Sequence, residues 1–159
     1  YEKIAKAAQL RRFKLILDTS ADFVPDLLKY RPYLIKPNDE ELAEWFGLIN
    51  PSLEEIKDCG QKLLEKGAEN VLVSLGEKGA ILFTPTETIH VTAPKGEVVN
   101  TACAGDTLLA TFVGSQLLGL SDEEALIKAV AAGSSTAFRP GLTDFSDVPT
   151  LMQQIKRIL

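Results

Sequence analysis

A run of small residues leads into an apolar helix near the middle of the chain and places an acid at the junction. The run Asn-Thr-Ala-Cys-Ala-Gly-Asp extends from Asn100 to Asp106, and the apolar stretch 108–113 follows it. The first N–H groups of a helix are unpaired and lie at the positive end of its dipole, and small side chains leave them uncovered. The Asp106 carboxylate in that turn could act as a general base beside a bound phosphoryl group. The turn therefore predicts a phosphate pocket that contains a base.

Strands alternate with helices along the chain, which is typical of an α/β fold on a mostly parallel sheet. Buried strands are predicted at 13–17, 33–35 and 71–75, and a short antiparallel extension at 80–83 and 88–91. Helices are predicted at 1–11, 22–29, from Asn38 through Phe46, from Ser52 through Leu64, at 107–120, from Ser121 to Phe138, and through Leu151, Ile155 and Ile158 at the C terminus.

Polar residues follow the predicted parallel strands. Asp18, Asn38 and Ser74 each fall at or just after the end of a strand, and the 103–106 turn precedes a helix. Ligands of open α/β sheets bind beyond the carboxyl ends of the strands. We therefore expect these elements to line one edge of the sheet. This expectation rests on the order of strands and polar residues alone.

Composition excludes several classes of partner. The 159 residues are 45% hydrophobic and 25% charged, which is ordinary for one globular domain. A net charge of −5 argues against nonspecific nucleic-acid binding. No apolar run is long enough for a membrane span, and no signal peptide is visible. Cys59 and Cys103 are too few for a disulfide framework and lack metal-ligand spacing, so we expect a cytoplasmic protein.

Several segments, in this order and spacing, resemble the phosphofructokinase-B (ribokinase-like) family of sugar kinases. The turn at 100–106 resembles the family signature Asp/Asn-Thr-x-Gly-Ala-Gly-Asp, and the resemblance covers essentially the whole chain. The chain looks most like the branch that contains 1-phosphofructokinase and tagatose-6-phosphate kinase. The other segments are Leu17–Ser20, Lys36–Leu42, Val73–Ala80 and Ala131–Phe138.

The resemblance implies a ribokinase-like α/β fold, of which residues 1–159 form the nucleotide-binding C-terminal half of a single sugar-kinase domain. Family members are considerably longer, and the chain opens at Tyr1 without a Met. The N-terminal half, with the lid and the sugar-binding residues, would then be absent. We expect the chain alone to be inactive and to self-associate, and the full-length protein to be a homodimer.

The implied reaction is ATP-dependent phosphorylation of a ketohexose phosphate, with fructose 1-phosphate converted to fructose 1,6-bisphosphate. Asp106 would take the proton of the sugar hydroxyl. The N–H groups of Cys103, Ala104 and Gly105 would hold the phosphoryl group in transfer.

The resemblance also implies the remaining contacts of ATP and Mg²⁺. Asn38 and Glu41 form an Asn-x-x-Glu pair that would reach magnesium and phosphate mostly through water. ATP contacts are implied for Ser74, Gly76, Gly79 and Gly133.

Each of these residues also has a purely structural interpretation. Asp106 suits a helix N-terminus, and an Asn followed three residues later by Glu is a helix cap. The glycines of the 74–79 loop suit a turn between strands, and Gly133 suits close helix packing. Cys103 departs from the family, which has Gly there; its Cβ should forbid the positive φ that Gly permits and narrow the pocket. Whether its thiol fills space or reacts stays open.

Three alternative functions remain. Tagatose-6-phosphate kinase is the alternative enzyme. A nucleotide- or phosphate-binding module without catalysis is the second alternative, and Cys103 is the best argument for it. The third is a flavodoxin-like phospho-acceptor domain with Asp18 as acceptor, which leaves the 103–106 turn without a use.

Overall fold

Five short strands form one mixed sheet in the order in which they occur along the chain. They are β1 (Ile16–Leu17), β2 (Leu34–Ile35), β3 (Val71–Ser74), β4 (Ala80–Phe83) and β5 (Thr88–Val91). In the computed structural model, which describes residues 1–158, β1, β2 and β3 are parallel, with Ile16 opposite Leu34 and Ile35 opposite Val71. The connections to β4 and β5 are too short for a parallel crossover, which needs about a dozen residues or more, so these strands extend the sheet antiparallel.

Helices flank this sheet, and three of the longer ones begin as the sequence predicts. Each of the three has a capping box: the N-cap side chain accepts the N–H of the third helical residue, a Glu whose carboxylate accepts the N-cap N–H. The caps are Asn38 on α3, Ser52 on α4 and Ser121 on α6. The helices are α1 (Glu2–Arg11), α2 (Val24–Leu27), α3 (Asp39–Phe46), α4 (Leu53–Glu65), α5 (Ala104–Leu117), α6 (Asp122–Ala137) and α7 (Val148–Met152).

The chain divides into two compact units, each with its own apolar core. In the first unit, Leu34, Leu42 and Leu63 are fully buried. In the second, α5 packs on α6 and buries Phe112 and Leu126 completely. The first unit consists of residues 1–74 and 81–88, and the second of residues 75–80 and the chain from residue 89 onward.

The first predicted strand is shorter and less buried than expected. A strand buried on both faces was predicted at 13–17, but only Ile16–Leu17 pairs, and Phe13 is 66% exposed. Arg12 is left-handed (φ 56°), and the Phe13 N–H donates to the Ala8 carbonyl at 2.9 Å. Phe13 therefore belongs to the closing turn of α1. The predicted helix at 22–29 is likewise shorter and continues as a 3₁₀ turn.

The helix predicted through Leu151, Ile155 and Ile158 is confirmed only in its first part, which contains Leu151. Helix α7 ends at Met152. The Ile158 N–H donates to the His90 carbonyl at 2.7 Å. Strand β5 lies at the edge of the sheet, where its backbone groups can pair with another segment, and Val91 forms an antiparallel bridge with Arg157.

Candidate active site

The turn before α5 is held by its own backbone and by one amide side chain. Asn100 Oδ1 accepts the N–H of Ala102 at 3.0 Å, and the Ala104 N–H donates to the Thr101 carbonyl at 3.2 Å. These bonds direct the chain into α5, which begins at Ala104, three residues earlier than predicted. Asp106 is consequently the third residue of the helix.

Cys103, the N-cap of α5, adopts the left-handed conformation that the sequence analysis excluded for it. Its φ is 61° and its ψ is 6°. The prediction that a Cβ forbids positive φ here was wrong, because a left-handed residue carries a penalty that surrounding contacts can overcome. The conformation explains why Gly suits this position.

The α5 N-terminus has no side-chain cap. Within residues 1–158, the N–H groups of Cys103, Gly105 and Asp106 have no hydrogen-bond partner, whereas that of Ala104 is engaged by Thr101. The positive end of the α5 dipole therefore presents unpaired donors. Of the three donors predicted to hold a phosphoryl group, two are free and the third is shared with the turn.

Asp106 lies in this first turn with its carboxylate exposed to solvent. Across the described chain, residues 1–158, its side chain makes no hydrogen bond or ion pair. The residue is therefore not the N-cap of α5, although its place in the first turn still suits the structural interpretation, because a carboxylate there interacts favourably with the helix dipole. Its oxygens remain available to an incoming hydroxyl group.

Gly133 permits α6 to approach this turn closely. A Cβ at Gly133 would lie 3.0 Å from the Ala104 carbonyl oxygen and 3.2 Å from the Leu108 Cβ. These distances are shorter than ordinary van der Waals contacts, so a larger residue at position 133 would displace the first turn of α5. Close helix packing accounts for this glycine, and its contact with ATP stays a prediction.

The loop after β3 contains two left-handed glycines of different character. Gly79 has φ 97°, and a Cβ there would lie 1.9 Å from the Val91 carbonyl oxygen. Gly76 has φ 56°, and a Cβ there would meet no atom within 4 Å. Gly79 is thus required by packing, while Gly76 leaves open space beside an exposed turn. Ser74 is half-buried and donates its N–H to the Pro37 carbonyl at 3.1 Å.

In the first unit, Asn38 and Glu41 face each other across the start of α3. Asn38 Oδ1 accepts the Glu41 N–H at 2.7 Å, and Glu41 Oε2 accepts the Asn38 N–H at 2.9 Å. Asn38 also forms a parallel bridge with Ser74, so these two predicted site residues are brought together. The capping interpretation of the pair is confirmed. Glu41 Oε1 lies outside the cap, which fits a water-mediated contact with Mg²⁺.

An ion pair between a buried lysine and an exposed aspartate lies near the carboxyl ends of β1 and β2. Lys36 is only 8% exposed, and its Nζ lies 3.1 Å from Asp18 Oδ1. Removing the Asp18 carboxylate would leave the buried Lys36 charge uncompensated, which is costly. Asp18 was predicted to lie at this edge, and the only local sign of the pair is a lysine directly after an apolar strand.

A second polar cluster, absent from the sequence predictions, follows α6. Arg139 contacts Asp144 at 2.7 Å and Asp147 at 2.8 Å. Hydrogen bonds from Ser146, together with Arg139, hold the pKa of Asp144 well below its usual range. Burial raises the pKa of Asp147, but hydrogen bonds from Ser135 and Arg139 outweigh it and leave that pKa lowered.

Residues 1–158 contain no group of three or more His, Cys, Asp or Glu side chains arranged to hold a metal ion. None of the helices in the same range combines the length and apolar character needed to cross a bilayer.

Residues 1–150 match the model of the pfkB family of carbohydrate kinases. The chain is 50% identical over 157 residues to the D-tagatose-1-phosphate kinase of Bacillus licheniformis, an alignment that covers 98% of this chain and 52% of that protein. It is 39% identical over 156 residues to the 1-phosphofructokinase of Bacillus subtilis, with the same shares covered. The chain thus spans about half the length of the curated relatives it matches.

The fold is also similar to a solved structure, that of Arabidopsis thaliana ribokinase complexed with ribose and ATP. The TM-score is 0.82 at 32% identity, over 96% of this chain and 51% of that one. The predicted ribokinase-like α/β fold is therefore confirmed. Because the family model matches nearly the whole length and the relatives are kinases of the same kind, the chain belongs to the pfkB family of carbohydrate kinases.

Proposed function

We propose that this chain forms the nucleotide-binding half of an ATP-dependent kinase that phosphorylates a ketohexose phosphate, with fructose 1-phosphate as the acceptor. Membership of the pfkB family supports a carbohydrate kinase. The relatives named 1-phosphofructokinase and D-tagatose-1-phosphate kinase support a ketohexose phosphate as the acceptor class. In this proposal the sugar-binding residues and the lid belong to the other half of the domain, so residues 1–159 alone do not catalyse transfer.

One observation carries the proposal: the start of α5 presents unpaired N–H groups and an unengaged carboxylate in the same turn. Cys103 and Gly105 supply free N–H donors, and Asp106 follows directly. Donors fixed by the backbone stabilise charge that develops on the transferring phosphoryl oxygens without reorganising. The adjacent carboxylate supplies the base that an attacking hydroxyl needs.

The proposed reaction is an in-line displacement. The Asp106 carboxylate takes the proton of the sugar hydroxyl as its oxygen bonds to the γ-phosphorus of ATP, and the bond from that phosphorus to the bridging oxygen breaks to release ADP. The N–H groups of Cys103 and Gly105, with that of Ala104, hold the γ-phosphoryl oxygens. Positioning and electrostatics provide most of the acceleration in such transfers.

Magnesium is part of the proposal through Asn38 and Glu41. When bound with ATP it would neutralise phosphate charge. Because both side chains close the α3 cap, they would reach the ion through water, with Glu41 Oε1 the oxygen outside the cap. Further ATP contacts are proposed for Ser74, Gly76, Gly79 and Gly133; of the three glycines, Gly76 has open space beside it.

D-tagatose 1-phosphate is the second candidate acceptor. The relative named for that activity is 50% identical, more than the 39% of the B. subtilis 1-phosphofructokinase. Both candidates are ketohexose 1-phosphates, so the same phosphoryl-transfer turn would serve either. Discrimination between them would come from the half of the domain that binds the sugar.

The full-length protein, assayed with ATP against a panel of sugar phosphates, tests the function. The panel contains fructose 1-phosphate, tagatose 1-phosphate, tagatose 6-phosphate and fructose 6-phosphate, and ADP release is measured beside product formation. We expect the highest kcat/KM with fructose 1-phosphate. Nucleotide binding without turnover on any sugar phosphate would contradict the proposal and favour the binding-module alternative.

The proposal for self-association rests on apolar side chains that are exposed in the first unit. Ile4, Leu10 and Phe13 of the first unit are each more than half exposed, and exposed apolar residues promote association. We propose that the isolated chain self-associates and that the full-length protein is a homodimer. Light scattering on both proteins tests this, and a monodisperse monomer of the isolated chain would contradict it.

A further inference from the structure

Two hydroxyl side chains at the end of α6 are buried where the helix is otherwise rich in alanine. Ser135 is completely buried and Thr136 is 1% exposed. A buried hydroxyl group is destabilising unless it is hydrogen-bonded. The partners of these two groups therefore indicate why polar residues stand here.

Thr136 connects the end of α6 to the first turn of α5. Its Oγ1 donates to Thr107 Oγ1 at 3.1 Å and accepts the Thr143 N–H at 3.2 Å. Thr107 follows Asp106 directly, and its N–H donates to the Cys103 carbonyl at 2.9 Å. A continuous path of hydrogen bonds thus joins residue 143 to the N-cap of α5.

Ser135 fixes the other end of this path. Its Oγ donates to Asp147 Oδ1 at 2.5 Å and lies 2.7 Å from Thr143 Oγ1. Asp147 is held in turn by Arg139, which also binds Asp144. The segment 139–147 is therefore tied to α6 by charge-assisted hydrogen bonds, which are stronger than neutral ones.

The chain entering the turn is held by the same end of α6. The N–H groups of Val99 and Asn100 both donate to the Ala137 carbonyl, at 2.8 and 3.1 Å. The turn is thus held before Cys103 through Ala137 and after it through Thr136. Contacts on both sides are what a left-handed, non-glycine residue needs to persist.

We propose that Thr136 is a positioning residue for phosphoryl transfer: through Thr107 it holds the N–H donors and the carboxylate at the start of α5 in their productive orientation. The inference rests on the proposed function for its kinetic consequence. Its structural part, that the Thr136 hydroxyl orders the turn, does not depend on any activity. Thr136 itself touches neither the phosphoryl group nor the sugar.

The kinetic test compares Thr136→Val with Thr136→Ser in the full-length protein. Valine keeps the shape but removes the hydroxyl and both of its hydrogen bonds, to Thr107 and to the Thr143 N–H. The loss of the bond to Thr107 predicts a fall in kcat of about five- to tenfold. Serine restores the hydroxyl and is expected to return kcat to within about twofold. Thr111→Val is the matched control, because Thr111 is a buried threonine of α5 outside the path.

The structural test uses the full-length protein and measures amide hydrogen exchange of residues 103–107. We expect Thr136→Val to accelerate exchange of the Thr107 N–H, and Thr136→Ser and Thr111→Val to leave it unchanged. If Thr136→Val does not fold, Thr107→Val removes the same bond from the other side, with Thr107→Ser as its rescue.

The outcomes separate the two proposals. A lowered melting temperature with unchanged kcat, KM and exchange in the turn would overturn the positioning role. Faster exchange that serine reverses supports it even if the full-length protein proves to have no kinase activity, a result that would overturn only the proposed function.

Discussion

Helices α3 and α5 both begin close to a predicted phosphate contact, yet their N-termini are opposite in construction. The α3 terminus is closed by Asn38 and Glu41, which satisfy each other's N–H groups. The α5 terminus has no side-chain cap, begins on the left-handed Cys103 and leaves N–H donors unpaired. A capping side chain contributes about 0.5–2 kcal/mol to stability, so α5 forgoes stabilisation that α3 has.

The difference indicates which terminus is built for a ligand. A closed terminus uses its donors internally, and an anion would have to displace a side chain to reach them. An open terminus keeps its donors for an anion, provided that neighbouring elements hold its shape. In the second unit Gly133, Thr136 and Ala137 provide that support. We therefore propose phosphoryl binding at α5, and only an indirect, water-mediated role for α3.

The largest effect is expected from Asp106→Asn in the full-length protein. The near-isosteric change removes the base and should lower kcat by about 10²–10⁴. Asp39→Asn is the matched control, because Asp39 also stands in the first turn of a helix, α3, and is expected to stay within a few-fold of the parent. Steady-state kinetics decide: equal, small effects of both changes would exclude Asp106 as the base.

Opening the closed terminus is expected to reduce stability. Asn38→Ala removes one half of the capping box and should lower the free energy of unfolding by about 1 kcal/mol, measured by urea denaturation. Ser52→Ala at α4 removes the equivalent half of another box and should have a similar effect on stability. In the full-length protein the kcat of Asn38→Ala should be lower than that of Ser52→Ala, because only Asn38 is proposed to contact magnesium and phosphate through water. Equal kcat values would mean that Asn38 is a cap and nothing more.

Relaxing the open terminus is expected to increase stability slightly. Cys103→Gly relieves a left-handed conformation that costs about 1–2 kcal/mol, against about 0.5–1 kcal/mol for the greater chain entropy of glycine. The net gain should be about 0.5–1 kcal/mol in urea denaturation. Arg12→Gly, at a left-handed residue outside the site, should gain similarly. Calorimetric titration with ATP should show undiminished affinity for Cys103→Gly, and a loss would mean that the turn has adapted to cysteine.

The same contrast explains what the sequence could and could not predict. The α3, α4 and α6 starts follow from Asn38, Ser52 and Ser121, each with a Glu three residues later, because a capping box is a local signal. The bounds of β4 and β5 were predicted correctly for a similar reason, since turn residues flank short apolar runs.

Features that depend on distant contacts were missed or predicted wrongly. The left-handed Cys103 depends on the end of α6, about thirty residues further along the chain, and no local rule assigns that conformation to cysteine. Nothing in the 135–147 segment, read alone, indicates that Ser135 and Asp147 meet. Phe13 was assigned to a strand because it is apolar, but its N–H bonds to the Ala8 carbonyl and it lies in the closing turn of α1.

The smallest effect is expected from Asp147→Asn, which changes how stability depends on pH. Asp147 anchors the segment that supports the α5 turn. Because the pKa of Asp147 is lowered in the folded chain, its contribution to stability is present above the ordinary aspartate pKa and is lost as the pH falls through the lowered value. Asp147→Asn cannot take up that proton, so its free energy of unfolding should fall less steeply on acidification from pH about 5 to about 3. At neutral pH it should cost about 0.5 kcal/mol, the loss of a partly exposed ion pair with Arg139. Asp58→Asn, on the exposed face of α4, should follow the parent curve. If the two variants have superimposable pH profiles in urea denaturation, Asp147 does not anchor the segment that supports the α5 turn.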